Sequence, residues 1–170
     1  AAVRITLAPG WKTYWRSPGD AGIPPYFDWT GSGNLSGVTT VFPVPYVFHQ
    51  NGVRSVGYSG EVILPLRLTP SDPDAPIRLT GDLEIGVCED VCIPVSFDLA
   101  AELPLPGYRD DRIGAALDNQ PASAAASGVS SVTCTVEPIP DGIRLTARIV
   151  MPPIGRDEVA VLEMPDPAIW

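Results

Sequence analysis

Three residues in this 170-residue sequence have side chains suited to covalent chemistry: Cys88, Cys92 and Cys134. The first two stand four positions apart. Leu83, Ile85 and Val87 alternate before Cys88, and Ile93, Val95, Phe97 and Leu99 alternate after Cys92. Apolar residues at every second position mark half-buried strands. The segment therefore reads as a hairpin whose tip is Glu89-Asp90-Val91. Opposed residues in such a ladder lie about 4.5–5.5 Å apart between α-carbons, and a disulfide spans about 4.4–6.8 Å. The two sulfurs are expected to be able to bond across the last rung without unfolding the strands.

Three chemistries fit such a pair. The first is a stapled turn. A five-residue loop gains only about 2 kcal/mol in the chain-entropy account, against nearly 5 kcal/mol for a loop of about 100 residues. That is little for a domain with a core of its own. The second is thiol–disulfide exchange, since cysteines at a hairpin tip are within reach of another protein and each can resolve a mixed disulfide formed by the other. The third is metal binding. The pair supplies two ligands and His49 is the only histidine, so no zinc tetrad is evident. Cu(I) held by Cys88, Cys92, His49 or a methionine remains a copper-handling alternative. Glu89 and Asp90 disfavour the thiolate form of both cysteines, so exchange would need a partner with its own activated thiolate or a positive surface.

Cys134 lies apart, in an alternating stretch. It reads either as a buried free thiol or as half of a disulfide whose partner lies beyond Trp170. His49 reads as a surface-loop histidine. A single histidine gives no convincing Ser/His/Asp constellation, so a hydrolase has little support.

The elements that would position the pair are strands. The 20 prolines and 16 glycines fit many short strands joined by turns. Strands are expected at 2–7, 26–29, 35–42, 62–68, 77–87 and 93–99. Turns are marked by Pro9-Gly10, Ser17-Pro18-Gly19-Asp20, Gly31-Ser32-Gly33, Asn51-Gly52 and Ser71-Asp72-Pro73. This spacing predicts an all-β, immunoglobulin-like β-sandwich over residues 1–106. No βαβ pattern and no glycine-rich phosphate loop is present. Residues 107–128 predict a short helix over 112–119, capped by Asp110 or Asp111 and ended by Pro121, then a small-residue linker. Residues 129–170 predict strands at 131–137, 143–150 and 159–164, with a turn at Pro140-Asp141-Gly142. Three strands do not easily close a core, so this part reads as the incomplete opening of a second β domain. The aromatics Trp11, Tyr14, Trp15, Trp29 and Tyr58 read mainly as core or rim residues, with Tyr14 or Trp11 as candidates to line the cysteine site.

Bulk properties narrow the partners. The net charge is −9 and the pI about 4.4, which disfavours nucleic acid and anionic membrane surfaces. No apolar run approaches the length of a membrane helix, about 18 residues. Ala1 opens directly into a strand pattern, so the start reads as a processed or trimmed end.

Several fragments carry a resemblance. Pro9-Gly10-Trp11-Lys12-Thr13-Tyr14-Trp15-Arg16, Pro18-Gly19-Asp20-Ala21-Gly22, Phe27-Asp28-Trp29 and Ser32-Gly33-Asn34 come first. Phe42-Pro43-Val44-Pro45, Gly57-Tyr58, Val62-Ile63-Leu64-Pro65 and Cys88-Glu89-Asp90-Val91-Cys92-Ile93-Pro94 follow. In this order they resemble the amino-terminal region of the DsbD family of thiol:disulfide interchange proteins, over roughly residues 3–105. Within it they are most similar to the branch of the suppressor of copper sensitivity protein ScsB. The resemblance implies a periplasmic, immunoglobulin-like domain with no cofactor. It implies a membrane-embedded electron-donor domain on one side and a periplasmic thioredoxin-fold partner on the other. Cys88 and Cys92 match the redox pair, with Cys92 as nucleophile and Cys88 resolving. The best-known branch spaces its cysteines more widely, whereas the three-residue spacing here is that of the copper-tolerance branch. A cap loop shields the disulfide in that family. The matching stretch here is Phe48-His49-Gln50-Asn51-Gly52, in which Phe48 would cover the sulfurs or pack into the core, and Asn51-Gly52 would hinge.

Overall fold

Glycine and proline turns cut the amino-terminal part into short strands. The computed structural model, which describes residues 1–50, 52–155 and 158–163, arranges them in two sheets. The chain divides into two units. One is Ala1–Gln120 with the described residues from Val161 onward; the other is Pro121–Ala160.

In the first unit the strands are β1 (Ala2–Thr6), β2 (Lys12–Gly19), β3 (Tyr26–Asp28), β4 (Gly37–Thr40), β5 (Tyr46–Gln50), β6 (Val53–Ser59), β7 (Glu61–Thr69), β8 (Ile77–Cys88) and β9 (Cys92–Leu103). The smaller sheet runs β1-β7-β4. The larger runs β3-β8-β2-β6-β5, with β9 on the other side of β8. Every pairing is antiparallel. This is the expected all-β, immunoglobulin-like architecture. The core forms between the sheets: Trp15, Val56 and Tyr58 from the larger meet Val62 and Leu64 from the smaller. Tyr58 is buried and its hydroxyl donates to the carbonyl of Pro43 at 2.8 Å, as a buried phenol requires.

Three expectations about strands are corrected. The signal Ser17-Pro18-Gly19 does not end a strand but lies inside β2. The register against β6 slips between Tyr14↔Gly57 and Gly19↔Ser55, so Pro18 falls where the ladder is already broken and its missing N–H costs nothing. On either side of Gly52 stand two strands that the pattern did not reveal, β5 and β6. Finally, residues 159–163 form no strand; Met164 lies outside the described residues. Val161 instead packs on the core, Glu163 pairs with Arg16 at 2.8 Å, and the Ser17 hydroxyl donates to the Leu162 carbonyl. These single contacts take the place of a ladder. A helix, α1 (Asp111–Asp118), follows β9. Asp110 caps it by accepting the Arg112 N–H at 2.9 Å, as expected of an aspartate at that position.

The second unit contains one hairpin, β10 (Ser131–Ile139) with β11 (Gly142–Val150). The register puts Val132/Ile149, Cys134/Ala147, Val136/Leu145 and Pro138/Ile143 on one face, and Thr133/Arg148, Thr135/Thr146 and Glu137/Arg144 on the other. Cys134 is therefore exposed and free, not buried as one reading expected, because the ribbon buries none of its residues.

Candidate functional site

The β8–β9 hairpin forms as its alternation predicts. Its register runs without a break from Ile77↔Leu103 to Cys88↔Cys92, with Glu89, Asp90 and Val91 at the tip. Cys88 and Cys92 form a disulfide across the last rung, with α-carbons 4.1 Å apart. The two ends differ in environment. Cys88 is 1% exposed, whereas Cys92 is exposed.

Register also fixes which face carries the pair. Lys12 pairs with Cys88 and Thr13 with Val87. Side chains alternate across a strand, so Thr13, Trp15, Ile85 and Val87 face the core, while Lys12, Tyr14, Cys88 and Cys92 share the outer face of the larger sheet. That face is covered at this end by the segment after β2. Gly22, at φ +135°, lies so close to Tyr14 that an added Cβ would come within 2.5 Å of the ring, and an added Cβ at Gly86 would come within 2.7 Å of Ile23. Glycine at both positions is what lets this segment close over Tyr14 and Cys88.

Tyr14 is the residue nearest the sulfurs. It is buried, and its hydroxyl donates to Cys88 Sγ at 2.8 Å and lies 3.2 Å from Cys92 Sγ. Burial raises its ionisation above the ordinary phenol value, so it stays a proton-bearing donor through neutral pH. Once the disulfide opens, that donor faces the leaving thiolate. Thr13 ties the two strands together below, donating its hydroxyl to the Gly86 carbonyl at 2.8 Å.

A small hollow of about 160 Å³ opens on the disulfide, bordered by Lys12, Tyr14, Gln50, Ser55, Glu89 and Asp90 among others. Lys12 Nζ donates to Gln50 Oε1 at 2.9 Å and approaches Ser55 Oγ at 3.4 Å. Gln50 Nε2 reaches the Glu89 carbonyl at 3.4 Å and Asp90 Oδ1 at 3.5 Å. Sequence reasoning named the two carboxylates that oppose a thiolate but missed the cation of Lys12 that favours one. The signal was present: Lys12 and Tyr14 are two apart, and reading β2 as a strand would have put them on one face.

The proposed cap stretch is placed differently from a loop. Phe48, His49 and Gln50 are the end of strand β5, and Gly52 is in the turn with φ +77°; Asn51 lies outside the described residues. Phe48 is half-buried. It meets Tyr46 edge-on at 6.5 Å and sits under Lys12 Nζ at 5.4 Å. With Trp11 and His49 it borders a neighbouring hollow beside Pro9 and Gly10, not the one that holds the sulfurs. His49 is exposed on a strand. Among the described residues, no three side chains of His, Cys, Asp or Glu gather where they could share a metal ion. No helix of the described residues is long and apolar enough to cross a membrane.

Comparison with known proteins accords with this geometry. The sequence profile described as thiol:disulfide interchange protein DsbD, N-terminal, matches residues 1–104. The chain belongs to the DsbD N-terminal family. Both cysteines of the pair, Tyr14 and the whole of the larger sheet fall within the family's span. Among solved structures, the N-terminal periplasmic domain of ScsB from Proteus mirabilis matches with a TM-score of 0.63 at 26% identity, covering 88% of this chain and 73% of that one. This supports the ScsB branch of the family. Comparison with curated proteins gave no match.

Proposed function

We propose that this chain is a periplasmic thiol–disulfide exchange domain that relays electrons through Cys88 and Cys92, from a membrane-embedded donor to a thioredoxin-fold partner. The observation that carries the reading is the asymmetry of the disulfide: Cys92 exposed, Cys88 buried beneath a tyrosine hydroxyl. A donor thiolate attacks the accessible Cys92 sulfur. The Cys88–Cys92 bond breaks, its electron pair leaves on Cys88, and Tyr14 stabilises that thiolate by hydrogen bonding. A second donor thiolate attacks the mixed disulfide and releases Cys92. The donor leaves oxidised, and the domain holds a dithiol with two electrons and two protons gained. Forward transfer reverses the roles. The Cys92 thiolate attacks the partner's disulfide, Cys88 attacks Cys92 Sγ, and the partner departs as dithiol. Family membership and the likeness to a periplasmic ScsB domain support the compartment and the chemistry.

Trapping tests this. In a Cys134→Ser background, which removes the exposed free thiol, reduced Cys88→Ala protein mixed with a periplasmic extract held oxidised is expected to accumulate mixed disulfides with thioredoxin-fold proteins through Cys92. The Cys92→Ala protein is expected to accumulate none. The reverse pattern reassigns the nucleophile. A pair that neither traps nor can be reduced above about −300 mV is a structural staple and ends the reading.

A further inference from the structure

The larger sheet ends in an unpaired strand at the redox site, and its backbone polarity follows from bonds elsewhere. In an antiparallel ladder, a residue's N–H and C=O point to the same side, and alternate residues point to opposite sides. Arg78 exchanges both backbone bonds with Gly33, at 2.8 and 3.0 Å, on the side of β8 away from β9. Thr80 does the same with the Ser32 hydroxyl, and the Gly86 carbonyl is taken by Thr13 on β2. Since the β8–β9 register is unbroken, every even-numbered residue of β8 faces away from β9. By the same alternation, Cys92, Pro94, Ser96, Asp98, Ala100 and Glu102 face away from β8. Cys88↔Cys92 is thus a non-hydrogen-bonded rung, consistent with its α-carbons standing only 4.1 Å apart. Among the described residues no strand pairs with the outer side of β9.

Open edges invite pairing, and proteins blunt them with proline and charge. Here the blunting is uneven. Pro94 removes one outward N–H, and Asp98 and Glu102 place carboxylates on the far half. The near end keeps the N–H and C=O of Cys92, the C=O of Pro94 and the N–H and C=O of Ser96. Ile93 and Phe97 stand exposed on the core-facing side of this same stretch, and Val91 is exposed at the tip.

We infer that the Cys92–Ser96 edge of β9 is the docking strand for the exchange partner, taking an extended segment of that protein by backbone pairing beside the nucleophile. This rests on the exchange reading above and adds how the partner is held. The occupant is a protein backbone and not a small thiol, because the open groups are a complementary row of amide donors and acceptors that ends at the reactive sulfur. A residue exchanging both bonds with Cys92 would lie about 5.5 Å away between α-carbons, within the range that a disulfide bridges. Pairing is sequence-tolerant, so one edge would serve more than one partner.

The test compares a protein reductant with a small one. Reduction of Cys88–Cys92 by thioredoxin and by dithiothreitol is followed in the parent, in Ser96→Pro and in Ser96→Ala. Ser96→Pro removes an outward N–H at a position of the same polarity as Pro94, where β8 loses no bond. The rate constant with thioredoxin is expected to fall about fivefold, as for the loss of one backbone hydrogen bond, while dithiothreitol reacts as before. Ser96→Ala is expected to match the parent with both. An equal rate with thioredoxin in Ser96→Pro overturns the docking edge and leaves the exchange reading standing. So does a parent that reacts no faster with thioredoxin than with dithiothreitol. A pair inert to both reductants overturns the exchange reading itself. Should Ser96→Pro fail to fold, amide exchange on the mixed disulfide of Cys88→Ala with thioredoxin decides. The Cys92 and Ser96 amides are expected to gain protection while those of Ile93 and Val95 stay unchanged, and no gain overturns the edge.

Discussion

Replacing Tyr14 by phenylalanine isolates one atom of the mechanism. The hydroxyl lies 2.8 Å from Cys88 Sγ and 3.2 Å from Cys92 Sγ, and the ring that carries it is buried under Gly22. In the disulfide, the sulfurs are weak acceptors and the loss is small. In the reduced form, the acceptor is a thiolate, and a hydrogen bond to a charged group contributes about 1.5–3 kcal/mol. At about 1.36 kcal/mol per unit, removing it should raise the Cys88 thiol pKa by about 1–2 units. The two thiols titrate as a coupled pair, so the measurement belongs in a Cys92→Ala background, where only Cys88 reports from this site. Cys134→Ser removes the remaining thiol. Ultraviolet thiolate absorbance against pH gives the midpoint, and the same proteins, with Cys92 restored, give the reduction rate by dithiothreitol. The midpoint should rise, and reduction should slow, because a more basic sulfur leaves less readily. A titration curve that superimposes on that of the tyrosine-bearing protein refutes the assignment of Tyr14 as the thiolate's donor.

Other outcomes follow from the same geometry. The disulfide closes only a short loop, so urea denaturation with and without dithiothreitol should differ by only about 2 kcal/mol; a difference near 5 kcal/mol would mark a staple instead. Gly22→Ala forces a side chain into a positive-φ position and onto the Tyr14 ring, and should cost about 1–3 kcal/mol in the same assay, with faster alkylation of reduced Cys88; an unchanged denaturation midpoint contradicts the covering role. Asp110 is held at a pKa of about 2 by hydrogen bonds from the Arg112 side chain and backbone. Its folded pKa is depressed, so its contribution is complete above the ordinary aspartate range and is lost as pH falls through about 2; carboxyl chemical shifts against pH measure this, and a midpoint near 4 refutes it. Cu(I) competition should show no tight binding that depends on Cys88; tight binding abolished by Cys88→Ala would revive the copper-handling alternative.

How much of this was legible in the sequence depended on distance along the chain. The β8–β9 hairpin declared itself, since both strands alternate cleanly and the cysteines stand at facing ends of a three-residue tip. The helix cap at Asp110 was equally local. Strand β2 was hidden, because Ser17-Pro18-Gly19 marks a turn in isolation and only the bulge against β6 makes it tolerable inside a strand. With β2 unread, the common face of Lys12, Tyr14 and Cys88 could not be deduced, although Tyr14 was named as a candidate. The covering by Gly22 and Ile23 is a contact between segments over 60 residues apart in the case of Ile23 and Gly86, and no periodicity reports it. For Phe48, the family resemblance implied a loop over the sulfurs, with core packing as the alternative, and neither reading looked for a strand there. The β5–β6 ladder in fact runs as far as Gln50↔Val53. The alternation at 159–163 failed for the opposite reason: a strand pattern needs a neighbouring edge, and here single side chains found partners instead.

The rung that carries the disulfide holds no backbone bond of its own. Making or breaking the sulfur link therefore needs no change in the amide ladder on either side, and in the proposed relay the domain would meet its donor and its acceptor with nearly the same outline. Such a carrier has no internal spring to push electrons one way. It behaves like a length of wire, and the current through it is set by the potentials of the pools at its two ends.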